Sequence, residues 1–182
     1  MAAPSRKWAA SLLRFWFEEL KPADWWGGSE KANIHLRRHY ESWLIALQGR
    51  PCHEFLDDPA TALGAVLLFD QVPRNLYSGT AKAFASDPLA RQLAYAILER
   101  GWDSHYTRPQ RQFLGLPLMH SEHMADQLES LRYFTALGQS IAFARDHHAM
   151  IARFGRYPHR NIALGRKSTP AEKRAIEAGF SW

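Results

Sequence analysis

The chain has 182 residues, of which 23 are Lys or Arg and 18 are Asp or Glu, so its formal net charge is +5. A hydrophobic fraction of 46% and a charged fraction of 23% are ordinary globular values, which excludes intrinsic disorder. The longest stretch without an acidic or basic side chain, residues 133–144, has 12 residues, whereas a membrane-spanning helix needs about 20. The single cysteine excludes an internal disulfide. We therefore expect one domain over residues 1–182, in the cytoplasm and without a membrane partner.

The positive charge is concentrated near the C-terminus. Residues 145–182 carry eight basic and three acidic side chains, a difference that accounts for the whole net charge of +5. These basic residues are spaced along the chain rather than clustered, and no nucleic-acid-binding motif accompanies them. We therefore do not expect a nucleic-acid partner. The arginines are better suited to pairing with carboxylates or phosphates, either within the protein or in a ligand.

Apolar side chains recur with a helical period along the chain, and no segment alternates convincingly with a period of two. The first predicted helix spans residues 6–20 with Ser5 as its cap, and the second spans residues 30–48 with Ser29 as its cap. A third helix, apolar on nearly all sides, begins at Asp58. It is expected to end at Val72, because the proline that follows disfavours helical geometry at that residue.

Further helices are expected in the second half of the chain. They are predicted from Asp87 to Gly101, over residues 109–116, over residues 122–137 with Ser121 as cap, over residues 139–154, and from a Thr169 cap to Gly179. Helices joined by short loops make an all-α domain. We therefore predict a single-domain stack of seven to eight helices.

Three segments carry more polar side chains than a helical scaffold needs. In the first, residues 67–77, Asp70 is expected at the C-terminal end of a helix, where the helix dipole disfavours a carboxylate. Arg74 lies four residues later and would be its ion-pair partner in a purely structural interpretation. In the functional interpretation, Gln71, Arg74 and Asn75 present hydrogen-bond donors to an anionic or amide ligand.

The second segment, residues 118–127, contains His120, Glu122 and Asp126. At helical spacing the two carboxylates share a stripe opposite Met124, Leu128 and Leu131, which are expected to face the core. The stripe is then either a solvated acidic face or, with His120, a set of general acid and base groups in a groove. We expect no metal site, because neither the His-Glu-x-x-His nor the Glu-x-x-His spacing is present.

The third segment, residues 151–166, places His159, Arg160 and Asn161 in a turn rich in glycine and proline. Loops carry functional residues more often than helices do. The alternative is a basic loop that docks on the acidic stripe of the second segment. His147, just before this segment, shares a helical face with apolar side chains and is predicted to be a core histidine.

Four motifs stand in order along the chain: Phe15-Trp16-Phe17, Phe69-Asp70-Gln71-x-Pro73-Arg74-Asn75, Met119-His120-Ser121-Glu122 with Asp126-Gln127, and Arg153-Phe154-Gly155-Arg156-x-Pro158-His159-Arg160-Asn161. Together they resemble one uncharacterised bacterial family, catalogued as domain of unknown function 924, over essentially the whole chain. The resemblance implies an all-helical fold of tetratricopeptide-like, right-handed superhelical type. The resemblance implies no established activity, substrate or cofactor, so the cofactor is unknown at this point.

Two functions are compatible with these segments. The first is a binding module that holds a small anionic ligand or a peptide in a polar groove through Asp70, Gln71, Arg74, Asn75, Glu122, Arg160 and Asn161. The second is a small hydrolase or transferase acting on an anionic metabolite. Its acid and base groups would be His120 or His159, oriented by Asp126 or Asp70, with the arginines stabilising negative charge. Binding is preferred because no nucleophile or metal set is evident. Both functions predict that the three segments line one concavity.

Overall fold

The computed structural model describes residues 7–26 and 29–180. These residues form helices and turns, and none of them lies in a β-strand, so the predicted all-α class is confirmed. The tetratricopeptide-like superhelix implied by the resemblance stays a prediction. The longer helices are α1 (Lys7–Arg14, continued by the π-helical turn Phe15–Glu19), α2 (Glu30–Leu47), α3 (Pro59–Val66, the π-helical turn Leu67–Gln71, and Val72–Leu76), α4 (Asp87–Glu99), α5 (Arg108–Met119), α6 (Met124–Leu137), α7 (Ile141–Phe154) and α8 (Pro170–Glu177).

Three of the predicted helix caps are formed. The side chains of Ser29, Asp58 and Thr169 each accept a hydrogen bond from the backbone N–H three residues later. Each cap satisfies one of the backbone donors that the start of a helix leaves without an intrahelical partner. The predicted start of α1 at Arg6, with Ser5 as cap, lies outside the described residues.

The expected end of the third helix at Val72 is wrong, because α3 continues through Pro73 as far as Leu76. In the π-helical turn, the Val72 N–H bonds to the carbonyl of Leu67, five residues earlier. This wider turn interrupts the regular α-helical pattern at the point where proline has no N–H to contribute. Asp70 is therefore in the middle of a helix and not at its C-terminal end.

Two side chains donate hydrogen bonds to backbone carbonyls of this irregular turn. Ser86 Oγ donates a 2.8 Å hydrogen bond to the carbonyl of Phe69, which the missing N–H of Pro73 would otherwise have served. Asn75 Nδ2 donates a 3.0 Å hydrogen bond to the carbonyl of Gln71. Buried backbone carbonyls need such partners. Asn75 is thus used in holding α3 together.

The predicted short helix over residues 109–116 is longer than expected. It is α5, which begins at Arg108 and ends at Met119, with Pro117 inside the helix. Leu116, Leu118 and Met119 are all buried. Their burial favours the helical path strongly enough to outweigh the low helix propensity of proline.

The predicted inward face of α6 is wrong for Met124 and Leu128, whereas Leu131 packs partly buried against the core as expected. Asp126, Gln127 and Ser130 are buried, whereas Met124 and Leu128 are 37% and 46% exposed. Apolar periodicity is informative only when buried polar groups are rare. Here the interior provides hydrogen-bond partners for Asp126 and Gln127, so the polar face of the helix turns inward.

Apolar side chains from α1 to α7 pack into one large cluster. A second, smaller cluster consists of Met150, Ile151, Tyr157 and Ala175, and it anchors the segment that follows α7. This anchoring places the third polar segment against α5 and the turn before α6. Within residues 7–26 and 29–180, no helix is both long enough and apolar enough to span a membrane.

A prediction concerns the close approach of α1 and α3 at Gly64. A Cβ atom at Gly64 would lie 2.7 Å from the Cβ of Ala9 and 3.0 Å from its Cα. We expect Gly64→Ala to lower the free energy of unfolding by about 1–3 kcal/mol, because the two helices must move apart. Urea unfolding measures this effect. Gly49→Ala is the matched control, since a Cβ at Gly49 would meet nothing within 4 Å. Equal losses in both variants would contradict the packing argument.

Candidate functional site

Asp70 and His120 form a buried hydrogen-bonded pair. The carboxylate of Asp70 has 0% exposure, and its Oδ1 lies 2.8 Å from Nδ1 of His120. Gln71 Nε2 donates a 2.6 Å hydrogen bond to the other carboxylate oxygen, and Arg74 Nη1 lies 3.2 Å from Oδ1. Since Nδ1 faces a carboxylate, it carries the proton, and Nε2 is the acceptor nitrogen of the neutral ring. The side chain of His120 keeps 16% exposure.

The ionisation states of this pair follow from its surroundings. Burial favours the neutral acid, but the charge of Arg74 and the hydrogen bonds from His120 and Gln71 outweigh it, so the pKa of Asp70 is lowered. Burial and the positive charge of Arg74 lower the pKa of His120 despite its carboxylate partner. At neutral pH, the pair is therefore an Asp70 carboxylate next to a neutral imidazole.

Arg74 and Asp87 form a second ion pair next to the first. Nη1 and Nη2 of Arg74 donate hydrogen bonds of 2.8 and 2.9 Å to the two carboxylate oxygens of Asp87, and Nη1 also bonds to the carbonyl of Asp70 at 2.7 Å. Asp87 is the first residue of α4, where the helix dipole favours a negative charge. The sequence analysis treated Asp87 only as a helix start. Its ion-pair role depends on how α3 and α4 pack, which local patterns do not contain.

Arg160 contacts two aromatic rings and is held less tightly than Arg74. Its guanidinium carbon is 4.6 Å from the ring centre of Phe84 and 4.5 Å from that of Tyr157. The residue is only 6% exposed. Its closest carboxylate oxygen, on Asp87, is 3.6 Å from Nη1, which is beyond hydrogen-bond distance. Its buried Nε has no acceptor among the described residues. Burial and the nearby charge of Arg74 lower the pKa of Arg160 to about 10.

The rings of His147 and His159 lie beside Tyr157, and the ring of His120 lies beside that of His147. The ring centre of His147 is 6.3 Å from that of His120 and 5.5 Å from that of Tyr157, and the ring centre of His159 is 5.6 Å from that of Tyr157. Burial, followed by the charge of His120, lowers the pKa of His147 to about 3. Burial, followed by the charge of Arg160, lowers the pKa of His159 to about 4. These rings are uncharged at neutral pH, and His147 is the core histidine that the sequence predicts.

Glu122 forms hydrogen bonds with the third polar segment, residues 151–166, and so holds it against the turn before α6. It precedes α6, which begins at Met124 and not at Glu122 as predicted. Its carboxylate accepts hydrogen bonds of 2.8 and 2.9 Å from Nη1 and Nη2 of Arg166, and a 2.8 Å hydrogen bond from the backbone N–H of Tyr157. The third segment therefore docks on Glu122 of the predicted acidic stripe. This contact leaves Glu122 little capacity to bind a ligand.

The structure brings seven of the sequence-predicted residues into one group, with Asp87 and Tyr157 added. We call this group the polar cluster; its members are Asp70, Gln71, Arg74, Asp87, His120, Glu122, Tyr157, His159 and Arg160. Among the described residues, no group of three or more His, Cys, Asp or Glu side chains is arranged to hold a metal ion.

Two of the predicted site residues have other partners. Asn161 Nδ2 donates to Ser168 Oγ at 3.1 Å, and its backbone carbonyl accepts a 2.7 Å hydrogen bond from the Arg166 N–H, so it shapes the turn that follows Arg160. Asp126 does not contact His120. It accepts hydrogen bonds of 2.6 Å from Tyr95 and from Ser121 instead. Of the two carboxylates predicted to orient a histidine, Asp70 contacts His120.

Comparison with known proteins agrees with the all-helical fold. One solved structure, a protein of unknown function from Agrobacterium tumefaciens, is 34% identical to this chain, with a TM-score of 0.88. The comparison covers 94% of this chain and 97% of that one. A search of curated proteins finds no match. Residues 12–179 match the family model described as "Bacterial protein of unknown function (DUF924)". The chain therefore belongs to this family, as its motifs led us to expect.

Proposed function

We propose that the protein binds a small anionic ligand at Arg160. The observation that carries this proposal is the state of the Arg160 guanidinium, which is 94% removed from solvent while its Nε has no acceptor among the described residues. Leaving a buried donor without a partner costs about 1–3 kcal/mol. An anion that accepts from Arg160 would recover that free energy, so the arginine is prepared for a partner that the protein itself does not provide.

The surroundings of Arg160 support the same proposal. The other two arginines of this region are each engaged by a carboxylate with two hydrogen bonds, Arg74 by Asp87 and Arg166 by Glu122. Charge-assisted hydrogen bonds are strong when water is excluded. The rings of Phe84 and Tyr157 lie against the Arg160 guanidinium and do not compete for its in-plane donors, which are left for a ligand.

Replacing Arg160 tests the proposal. Acetate and inorganic phosphate are titrated at constant ionic strength, and binding is followed by NMR of the backbone amides. We expect saturable binding of at least one of these anions by the unmodified protein, and a loss of about tenfold to hundredfold in affinity for Arg160→Gln. Arg153→Gln is the matched control, because Arg153 is exposed and close in sequence. Equal titrations in both variants would contradict the proposal.

A second candidate function is catalysis, and the Asp70–His120 pair is the observation that favours it. A carboxylate bonded to Nδ1 fixes the tautomer in which Nε2 can accept a proton, as general bases require. Carboxylic esters and phosphate esters are the substrates to assay for turnover. Replacing His120 by Ala would lower turnover by about 10²–10⁴-fold if the ring acts as a general base. It would change acetate affinity only a few-fold if binding alone is the function.

A further inference from the structure

We infer that the ligand of Arg160 is a small carboxylate that carries a single negative charge. This inference rests on the proposed function and adds the chemical class of the ligand. It follows from the charge balance of the polar cluster and from the shape of the space around the Arg160 guanidinium.

The first step is the charge balance. Among the described residues, the polar cluster contains three carboxylates, those of Asp70, Asp87 and Glu122, and two arginines, Arg74 and Arg160. Arg166, which pairs with Glu122, brings the sum of these charges to zero before a ligand enters. A monoanion adds one charge, whereas a phosphate dianion adds two in a place with little water to screen them.

A proton taken up by a nearby histidine would offset part of the negative charge that a ligand adds. His147 and His159 would supply a positive charge near Arg160 if their rings were protonated. Their pKa values, however, are lowered to about 3 and about 4. His120 also has a lowered pKa, and its Nδ1 proton is already directed at Asp70. Protonating any of these rings at neutral pH costs free energy, so the cluster does not readily accommodate a second negative charge.

The third step concerns shape. Two aromatic rings lie against the Arg160 guanidinium, with centres 4.6 and 4.5 Å from its central carbon. Rings that contact a guanidinium in this way leave the donors in its own plane for a ligand, and Nε and Nη2 form one edge of that fork. A planar carboxylate makes two parallel hydrogen bonds to such an edge. The remaining oxygens of a tetrahedral phosphate project out of the plane, toward the negative faces of the Phe84 and Tyr157 rings.

The fourth step concerns Asp87. Its Oδ2 lies 3.6 Å from Nη1 of Arg160, and both of its oxygens already accept hydrogen bonds from Arg74. A negative group therefore stands on the Nη1 side of Arg160. It repels a dianion about twice as strongly as a monoanion, since Coulomb energy scales with charge.

The test compares acetate with inorganic phosphate at pH 7.5 and constant ionic strength. The readout is the proton and nitrogen shift of the Arg160 Nε–H group, assigned by its absence from the spectrum of Arg160→Lys. We expect acetate to bind at least tenfold more tightly than phosphate and to move the Nε–H resonance downfield as the hydrogen bond forms. Arg160→Lys keeps the charge but loses the planar fork, so we expect it to lose this preference for acetate.

Three results are distinguishable. Tighter acetate binding that depends on the Arg160 fork supports the inference. Phosphate binding that equals or exceeds acetate binding, and that still requires Arg160, overturns the inference and leaves the proposed function standing. Absence of saturable binding for both anions overturns the inference and the proposed function together. The control Arg153→Gln is expected to behave as the unmodified protein in every titration, because its side chain is exposed.

Discussion

Replacing Asp70 by Asn is expected to lower the free energy of unfolding by about 3–5 kcal/mol, the usual cost of breaking a buried ion pair on one side only. The amide is nearly the same size as the carboxylate, so the loss is electrostatic and not a packing effect. Asp70 faces the positive charge of Arg74 and accepts hydrogen bonds from Gln71 and His120, all within the protein interior. Removing its charge leaves Arg74 with Asp87 alone and gives His120 a weaker acceptor.

Urea unfolding at pH 7 measures this loss as a lower urea concentration at the unfolding midpoint, with an unchanged dependence of the free energy of unfolding on urea concentration. Glu129→Gln is the matched control, because Glu129 pairs with Arg132 on the surface, where the Arg132 side chain is 77% exposed. Exposed pairs are worth about 0–1 kcal/mol. A loss below about 1 kcal/mol for Asp70→Asn would mean that Asp70 does not hold Arg74 and His120 in place, and the account of the polar cluster would fail.

Local sequence patterns predicted the elements of this fold well, but not the partners of the polar residues. Capping side chains at Ser29, Asp58 and Thr169 are recognisable because a cap and its helix are neighbours in the chain. The pairing of Asp70 with Arg74 follows similarly from their four-residue spacing. His120 lies 50 residues from Asp70, and their contact depends on how α3 and α5 pack.

The two largest errors share one cause, which is that tertiary contacts outweighed a local rule. Pro73 was expected to end a helix, but a π-helical turn and the Ser86 hydroxyl accommodate it. Met124 and Leu128 were expected inside, but the buried partners of Asp126 turn that face outward. Ser86 lies 17 residues from Phe69, and Tyr95, one of the two partners of Asp126, lies 31 residues from it. A local window of residues therefore did not contain these partners.

The candidate site was predicted in part for the same reason. Arg160 and His120 stood out because their segments are unusually polar. What makes Arg160 a candidate anion-binding group is the lack of an acceptor for Nε among the described residues, together with the rings of Phe84 and Tyr157 that lie against its guanidinium. That arrangement exists only once residues from three separate segments have come together.

The second large effect expected is a loss of stability as the pH falls from 7.5 to 5. Burial lowers the folded-state pKa of His147 to about 3 and that of His159 to about 4, whereas an unfolded histidine titrates near pH 6.5. Between these values the unfolded chain takes up protons that the folded protein does not. Stability is therefore complete above about pH 6.5 and falls as the pH drops below it.

The size of this loss follows from the number of titrating groups. Each histidine that stays neutral in the folded state contributes about 1.4 kcal/mol per pH unit below its unfolded pKa. His147 alone then gives about 2 kcal/mol at pH 5, and His159 adds up to a similar amount, reduced by its partial exposure. Urea midpoints at pH 7.5, 6 and 5 measure the loss, and staying at or above pH 5 limits the contribution of carboxylate protonation.

Two variants separate this mechanism from general acid sensitivity. His147→Gln stays neutral over the whole range, so we expect it to lose the part of the pH dependence that His147 contributes, about 2 kcal/mol at pH 5, whatever its stability at pH 7.5. His53→Gln is the control, because His53 is exposed, and it is expected to keep the full dependence. If the unmodified protein were equally stable at pH 7.5 and pH 5, the histidines around Tyr157 would have to be charged in the folded state. The charge balance that favours a singly charged carboxylate at Arg160 would then be wrong as well.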